Sequence, residues 1–364
     1  MNRKDVKRMT KDHDNPRSIA FTYKLILSLI AFFLIFMVAM VLGAADTSIK
    51  DVWLALTSSA KGDKISIIRE IRLPREVAAI FVGAGLAVSG AIMQGLTRNP
   101  LADPGLLGLS GGANAALALT LAFNPSISYL YLTLACFIGA AIGAIMVFGI
   151  GMVKKGGLSP LRIVLAGAAV SAFLLAISEG IGIYFKISQD VSLWTAGGVI
   201  GTTWSQLKII IPVISISIFI AILLAKKLTV LSFSEEVAIG LGQKIIVIKT
   251  ILFIIIILLA GASVALVGNM AFIGLMVPHM VRPIVGPDYR FVIPMSAIAG
   301  ASFMLLADTI GRTINAPYET PCESIVNKAT HGTPIVARIA QRTAYTVTDI
   351  IKAPRTPRRA NTKR

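Results

Sequence analysis

The stretch Glu76–Leu96, EVAAIFVGAGLAVSGAIMQGL, is apolar or small apart from Glu76, Ser89 and Gln94. It has the roughly 20 residues that a helix needs to cross the hydrocarbon core of a bilayer. Within it Ala79, Gly83, Ala87, Ala91 and Gly95 recur at every fourth position. On a helix that interval gathers small side chains into one ridge, along which a second helix can approach closely. A soluble helix would scatter its apolar residues at amphipathic spacing instead. The stretch therefore predicts a membrane-spanning helix held inside a tight bundle.

Similar blocks recur on both sides of it. Together they predict spans at about 21–43, 76–96, 106–123, 129–153, 161–185, 207–225, 250–267, 272–285 and 291–310. Asn124-Pro125-Ser126 and Lys154–Pro160 punctuate the blocks as turns. The stretch 190–206 is too polar for a full crossing and reads as a short interfacial or re-entrant helix. Gly139 and Gly143 give the fourth block a shorter small-residue ridge. The expected fold class is all-α: a polytopic transmembrane helix bundle of about nine recognisable spans.

Composition agrees. Charged residues make up 15% of the 364 positions, against 55% hydrophobic; a water-facing surface brings the charged share to about 25%. The formal net charge of +17 would suggest nucleic acid in a soluble domain. Here Lys and Arg gather in short loops and at the ends, as cytoplasmic flanks of membrane spans do, so no nucleic-acid partner is expected. With residues 1–20 as an inside tail, Arg98, Lys154–Lys155, 226–249 and 282–290 all fall inside. The tail is long and charged, and the block after it is too long for a secretory h-region. The outward segment 45–75 breaks the pattern with Lys50, Lys61, Lys64, Arg69, Arg72 and Arg75. Two cysteines, Cys136 and Cys322, make no disulfide framework.

Chemistry is sparse. No Walker spacing, nucleophile elbow or paired-carboxylate set is present, and His13, His279 and His331 are scattered. No enzyme, cofactor or metal is expected. Glu179 and Asp308 are the main carboxylates within the predicted spans. Ion-coupled secondary transporters place several ionisable groups at mid-membrane, so their scarcity points to energy supplied by a partner. Glu179 either lines a path or pairs near the outer interface. The segment 231–243 reads as a short helix capped by Ser234, with Glu235 and Glu236 in its first turn and Gly242 ending it. Val237, Ala238 and Leu241 give it a small apolar face, suited to a partner's groove or to the membrane surface.

Several motifs in order resemble the binding-protein-dependent iron(III)–siderophore and vitamin B12 permease family. They are Arg72-Leu73-Pro74-Arg75, Asn99–Gly108, Glu235-x-x-Ala238-x-x-Leu241-Gly242, Phe272–His279, and Ala299–Ala301 with Ala307-Asp308. The resemblance implies the permease subunit of an ABC importer in the bacterial cytoplasmic membrane. It implies a second permease subunit, ABC ATPase subunits inside and a substrate-binding protein outside. It makes Ser234, Glu235, Glu236, Ala238, Leu241 and Gly242 the segment seated on the ATPase. Arg72, Arg75 and Arg312 become binding-protein docking residues, which would account for the outward basic cluster. Ser159, Pro160 and Glu179 become gate or pore residues. An iron(III)–siderophore is the expected cargo, with cobalamin or haem as the alternative. The permease domain is then 21–321. Residues 322–364 form a basic tail where the family has a tenth span, so this C-terminus reads as altered or frameshifted.

Overall fold

The computed structural model describes residues 16–42, 48–58, 62–152, 160–270 and 272–313. Those residues form helices and connecting turns without a strand. The long elements are α1 (Pro16–Val41), α4 (Leu73–Thr97), α6 (Tyr129–Met152), α7 (Pro160–Tyr184), α9 (Trp204–Phe233), α11 (Ile245–Val267) and α13 (Tyr289–Thr313). Between them lie α2 (Ile49–Thr57), α3 (Asp63–Ile67), α5 (Leu109–Phe123), α8 (Ser188–Thr195), α10 (Glu235–Gly240) and α12 (Ile273–Val285).

Seven helices among the described residues are long and apolar enough to cross a membrane. The third and eighth sequence blocks fold as the shorter apolar helices α5 and α12. The expected nine spans therefore become seven long helices and two short ones. The reason for α12 is local: Gly268 and Phe272 both take positive φ, at 77° and 69°. The chain thus turns back between α11 and α12 before becoming helical again.

Helix α4 is the hub. It is buried on almost every side and packs on α13, α11, α9 and α12. The small ridge makes this possible. Gly83 meets the backbone of Gly300 and the Met304 side chain, Ala87 lies against Gly300, and Gly95 faces Leu228 and Tyr289. The second ridge works likewise: Gly139 and Gly143 of α6 meet the backbones of Gly112 and Gly108 at the start of α5. Such contacts replace the hydrophobic drive that lipid removes.

The hub also begins earlier than its apolar block. Helix α3 runs through a π-helical turn, Ile68–Arg72, directly into α4. Pro74 has no N–H for the carbonyl one turn before it and crowds that turn; widening the helix there lets the chain continue across the proline. Much of the segment 45–75, expected as a polar connection, is thus helical. Helix α9 likewise continues past Lys226 and Lys227 to Phe233. The predicted short helix at 190–206 is found as α8, followed by a turn with Gly197, Gly198 and Gly201 at positive φ.

Candidate functional site

The bundle has two ends. At one, α9 hands over to α10. Ser234 adopts an extended conformation and its Oγ accepts from the N–H of Val237 at 3.1 Å, as its position before two glutamates predicts. Hydrogen bonds from Glu236's own backbone and from Ser234 hold the Glu236 carboxyl below its ordinary value. Gly242 closes the helix at φ 75°, with its N–H on the carbonyl of Ile239 and that of Gln243 on Ala238. Only glycine takes that backbone without strain.

The face of α10 is split. Ala238 is buried, whereas Val237, Ile239 and Leu241 are exposed together with Phe233. The predicted apolar face of Val237, Ala238 and Leu241 is therefore divided between an inward Ala238 and an outward patch. Helix α10 is also tied to the bundle electrostatically. Glu235 Oε1 accepts from Lys249 Nζ at 2.8 Å and from Arg98 Nη2 at 3.3 Å. Arg98 follows the hub helix in left-handed conformation, at φ 52°. Helix α10 is thus joined to the end of α4 and the start of α11.

At the other end lies an ion network centred on α4 and α13. Arg75 grips Asp308 with Nε at 3.1 Å from both carboxylate oxygens and Nη2 at 2.9 Å from Oδ1. Arg312 Nε stands 3.0 Å from Asp308 Oδ2, one helical turn along α13, and Arg312 Nη2 pairs with Glu76. Glu76 is fully buried, and Asp308 and Arg312 are 2% and 5% exposed. Arg72 is buried too, with Nη1 on the carbonyls of Met40 and Val41 at 2.9 and 3.2 Å. Arg69 Nε donates to the carbonyl of Ala55 at 2.9 Å. Two of these arginines thus satisfy carbonyls at the C-terminal ends of α1 and α2, where the helix dipole favours a cation.

This explains a cluster that broke the charge pattern of the sequence. Arg75 and Arg312 share Asp308 and Arg72 holds the end of α1, so all three arginines expected to face a binding protein have partners within the chain. Their partners Glu76 and Asp308 were not assigned this role from sequence; the signal available was the Asp308–Arg312 spacing of four residues on one helix.

Glu179 sits on the exposed side of α7, in a stripe with Ala168, Ala172, Ala176 and Gly180. Pro160 opens α7. Ser159 lies outside the described residues, as do residues 314–364, which include Cys322 and the basic tail. Among the described residues no group of three or more His, Cys, Asp or Glu side chains could hold a metal.

Residues 29–342 match the FecCD transport family. That match extends beyond Pro321. The iron(3+)-hydroxamate import system permease protein FhuB of Bacillus subtilis is 40% identical over 353 residues, covering 94% of this chain and 91% of that protein. The ferric enterobactin transport system permease protein FepD of Escherichia coli is 36% identical over 300 residues, covering 82% and 88%. The hemin transport system permease protein HmuU of Yersinia pestis is 37% identical over 305 residues, covering 80% and 90%. A solved inward-facing metal-chelate type ABC transporter has the same fold, with a TM-score of 0.75 at 23% identity over 89% of this chain and 99% of that one.

Proposed function

The chain belongs to the FecCD transport family, and from that premise we propose that it is the permease subunit of an ABC importer carrying iron(III)–siderophore complexes across the bacterial cytoplasmic membrane. The observation that carries this reading is the extent of the likeness: 40% identity along nearly the whole of an iron-hydroxamate permease. The other relatives described are named for ferric enterobactin and hemin. Iron bound in an organic chelator is what these cargoes share, and a siderophore is favoured over cobalamin or haem. The chain itself is not an enzyme; ATP is hydrolysed by separate subunits.

The finer assignments follow from the two ends of the bundle. The end bearing α10 faces the cytoplasm, and Phe233, Val237, Ile239 and Leu241 form the apolar patch that seats on an ATPase subunit. An exposed apolar cluster of this kind on a short capped helix suits a partner's groove. The end bearing Arg75, Asp308 and Arg312 faces outward, towards the substrate-binding protein. There Arg72, Arg75 and Arg312 already hold partners within the chain, so a glutamate of the binding protein engaging one of them would compete with Asp308, Glu76 or a helix-end carbonyl. In this arrangement α5 and α12 complete nine membrane-embedded helices. The small stripe of α7 around Ala172 and Ala176 packs on a second permease subunit, which also shields Glu179 from lipid, where a carboxylate is costly. Movement of the ATPases tilts α10, and Glu235, through Arg98, passes that tilt to the hub helix.

Proteoliposomes holding the permease pair and its ATPases test this. ATP is expected to drive accumulation of an iron(III)–siderophore supplied with its binding protein. Accumulation on an ion gradient without ATP would overturn the importer reading. Within the same system Glu235→Lys sets three cations together and is expected to lower transport at least ten-fold. The Glu235 contacts are 20–43% exposed, and such pairs contribute about 0–1 kcal/mol, so folded yield should barely change. Pairing Glu235→Arg with Arg98→Glu should restore part of the transport; no rescue would break the proposed link to α4.

A further inference from the structure

Helix α1 is the least enclosed of the seven long helices. Tyr23, Leu27, Ile30, Leu34, Val38 and Leu42 stand exposed along it at steps of three or four residues, which makes one continuous apolar face. From Tyr23 to Leu42 a helix rises roughly 30 Å, the thickness of the hydrocarbon core. That face is therefore the boundary with lipid. Tyr23 marks one rim of it, and Leu42 marks the other, at the end bearing Arg72 and Arg312.

Helix α2 lies at this second rim. Its Val52 and Ala55 are buried with Met40 of α1, Ile65 of α3 and Ile68 of the π-helical turn, in an apolar cluster separate from the main core. Ser48 and Asp51 cap its first turn reciprocally, and Arg69 holds its last turn through the carbonyl of Ala55. The helix is thus fixed in its rotation. Ile49, Trp53 and Leu56, four and three positions apart, share a second face, and all three are exposed, Trp53 by 64%. Lys50, also exposed, comes next around the helix. A tryptophan between aliphatic residues, with a lysine beside them, is the make-up of a helix lying in the bilayer interface. The packing points the same way. Helix α1 packs on α13, α4 and α2, whereas α7 packs on α5, α6 and α8. The two share none of these neighbours, so α2 stands apart from the α7 stripe offered to a second permease subunit.

We propose that α2 is a membrane-surface helix whose partner is phospholipid: Ile49, Trp53 and Leu56 sink into the boundary between headgroups and acyl chains, and Lys50 lies beside the lipid phosphates. Trp53 then mirrors Tyr23 at the opposite rim, as aromatic side chains do at the two interfaces of a bilayer. The contact goes beyond the importer reading and needs only the membrane-spanning α1, whatever the cargo. It sets the depth of the small apolar cluster under α2. Through Arg69 and Arg72, which tie the π-helical turn to the ends of α2 and α1, it also sets the height at which the arginine network stands above the lipid.

Spin labels on the full transporter in phosphatidylcholine nanodiscs test this, with Cys322→Ser in this chain and the reactive cysteines of the other subunits removed. Cys136 is buried and stays. Labels are placed by Ile49→Cys, Trp53→Cys and Leu56→Cys, with Leu34→Cys as the lipid control and the exposed Lys64→Cys as the water control. Collisions with oxygen, which enters lipid, are compared with collisions with a water-soluble nickel chelate. The oxygen-to-nickel ratio at the three α2 positions is expected to be at least five-fold above that at Lys64→Cys and below that at Leu34→Cys. Where a label disturbs assembly, the difference in tryptophan emission between wild type and Trp53→Phe reports the same contact. Phospholipid brominated near the headgroup should quench that difference at least two-fold. Ratios equal to that at Lys64→Cys, or emission that bromolipid leaves unquenched, overturn the proposal. So does a face that the nickel chelate reaches freely until the binding protein is added, because α2 is then a protein-docking surface.

Discussion

Arg312→Ala is expected to cost the folded permease about 3–5 kcal/mol, the usual penalty for removing one partner of a buried ion pair. The loss should appear as a sharply lower melting temperature of the detergent-solubilised protein and a low yield of monodisperse material. Arg312 joins Glu76 and Asp308, and none of the three side chains is more than 5% exposed. Without it Asp308 keeps Arg75, but Glu76 is left as a buried carboxylate whose Oε2 already lacks a hydrogen-bond partner. Arg312 also reaches towards the carbonyls of Ala39 and Leu42 at 3.4 and 3.5 Å, so the end of α1 loosens as well. Adding Glu76→Gln should recover part of the loss, because the neutral amide removes the unpaired charge. If Arg312→Ala melts within about 1 kcal/mol of wild type, the range of an exposed pair, the network is not buried as described.

The second large effect is expected at Gly90. A Cβ there would run into the carbonyl of Gly274, at the start of α12. The obstacle is backbone, so no rotamer change relieves it. Overpacking of a core ordinarily costs about 1–3 kcal/mol, and pushing α12 away also endangers the bonds from Gln94 Nε2 to Gly274 and Leu275, at 3.3 and 3.1 Å. Gly90→Leu should therefore abolish transport and strongly reduce the folded fraction, with Gly90→Ala intermediate. Gly149→Ala provides the contrast, since a Cβ there meets nothing within 4 Å. That change should be neutral or stabilise helix α6 by about 0.5–1 kcal/mol, the intrinsic preference of a helix for alanine over glycine. Equal tolerance at Gly90 and Gly149 would refute close packing of α4 on α12.

Both effects concern the same architecture. The hub α4 holds the ion network at one end, the crossings with α13 and α12 along its length, and Arg98 beside Glu235 at the other. A disturbance at either end therefore has a rigid element to travel along. This is a physical connection; the Glu235 variants measure whether motion is transmitted through it.

The amino-acid order alone was enough for the class of the fold, the approximate place of each apolar helix, the small-residue ridges and the cap of α10. These are local properties: apolar run length, four-residue recurrence, and a serine preceding two glutamates act within a few turns of one helix. Family motifs brought the expectation of an iron(III)–siderophore permease. Packing in three dimensions settled matters that span distant parts of the chain. Arg75 finds Asp308 and Arg312 finds Glu76 across more than two hundred residues, and no spacing rule reaches that far. The continuation of α4 back through Ile68–Arg72, the shortness of α12 and the division of Val237 from Ala238 likewise depended on neighbours. The cavity lined by Leu117, Thr133, Trp194 and Leu266 is the clearest case, because its walls come from three separate stretches of chain, 117–133, 187–206 and 266–267, that only the folded bundle brings together.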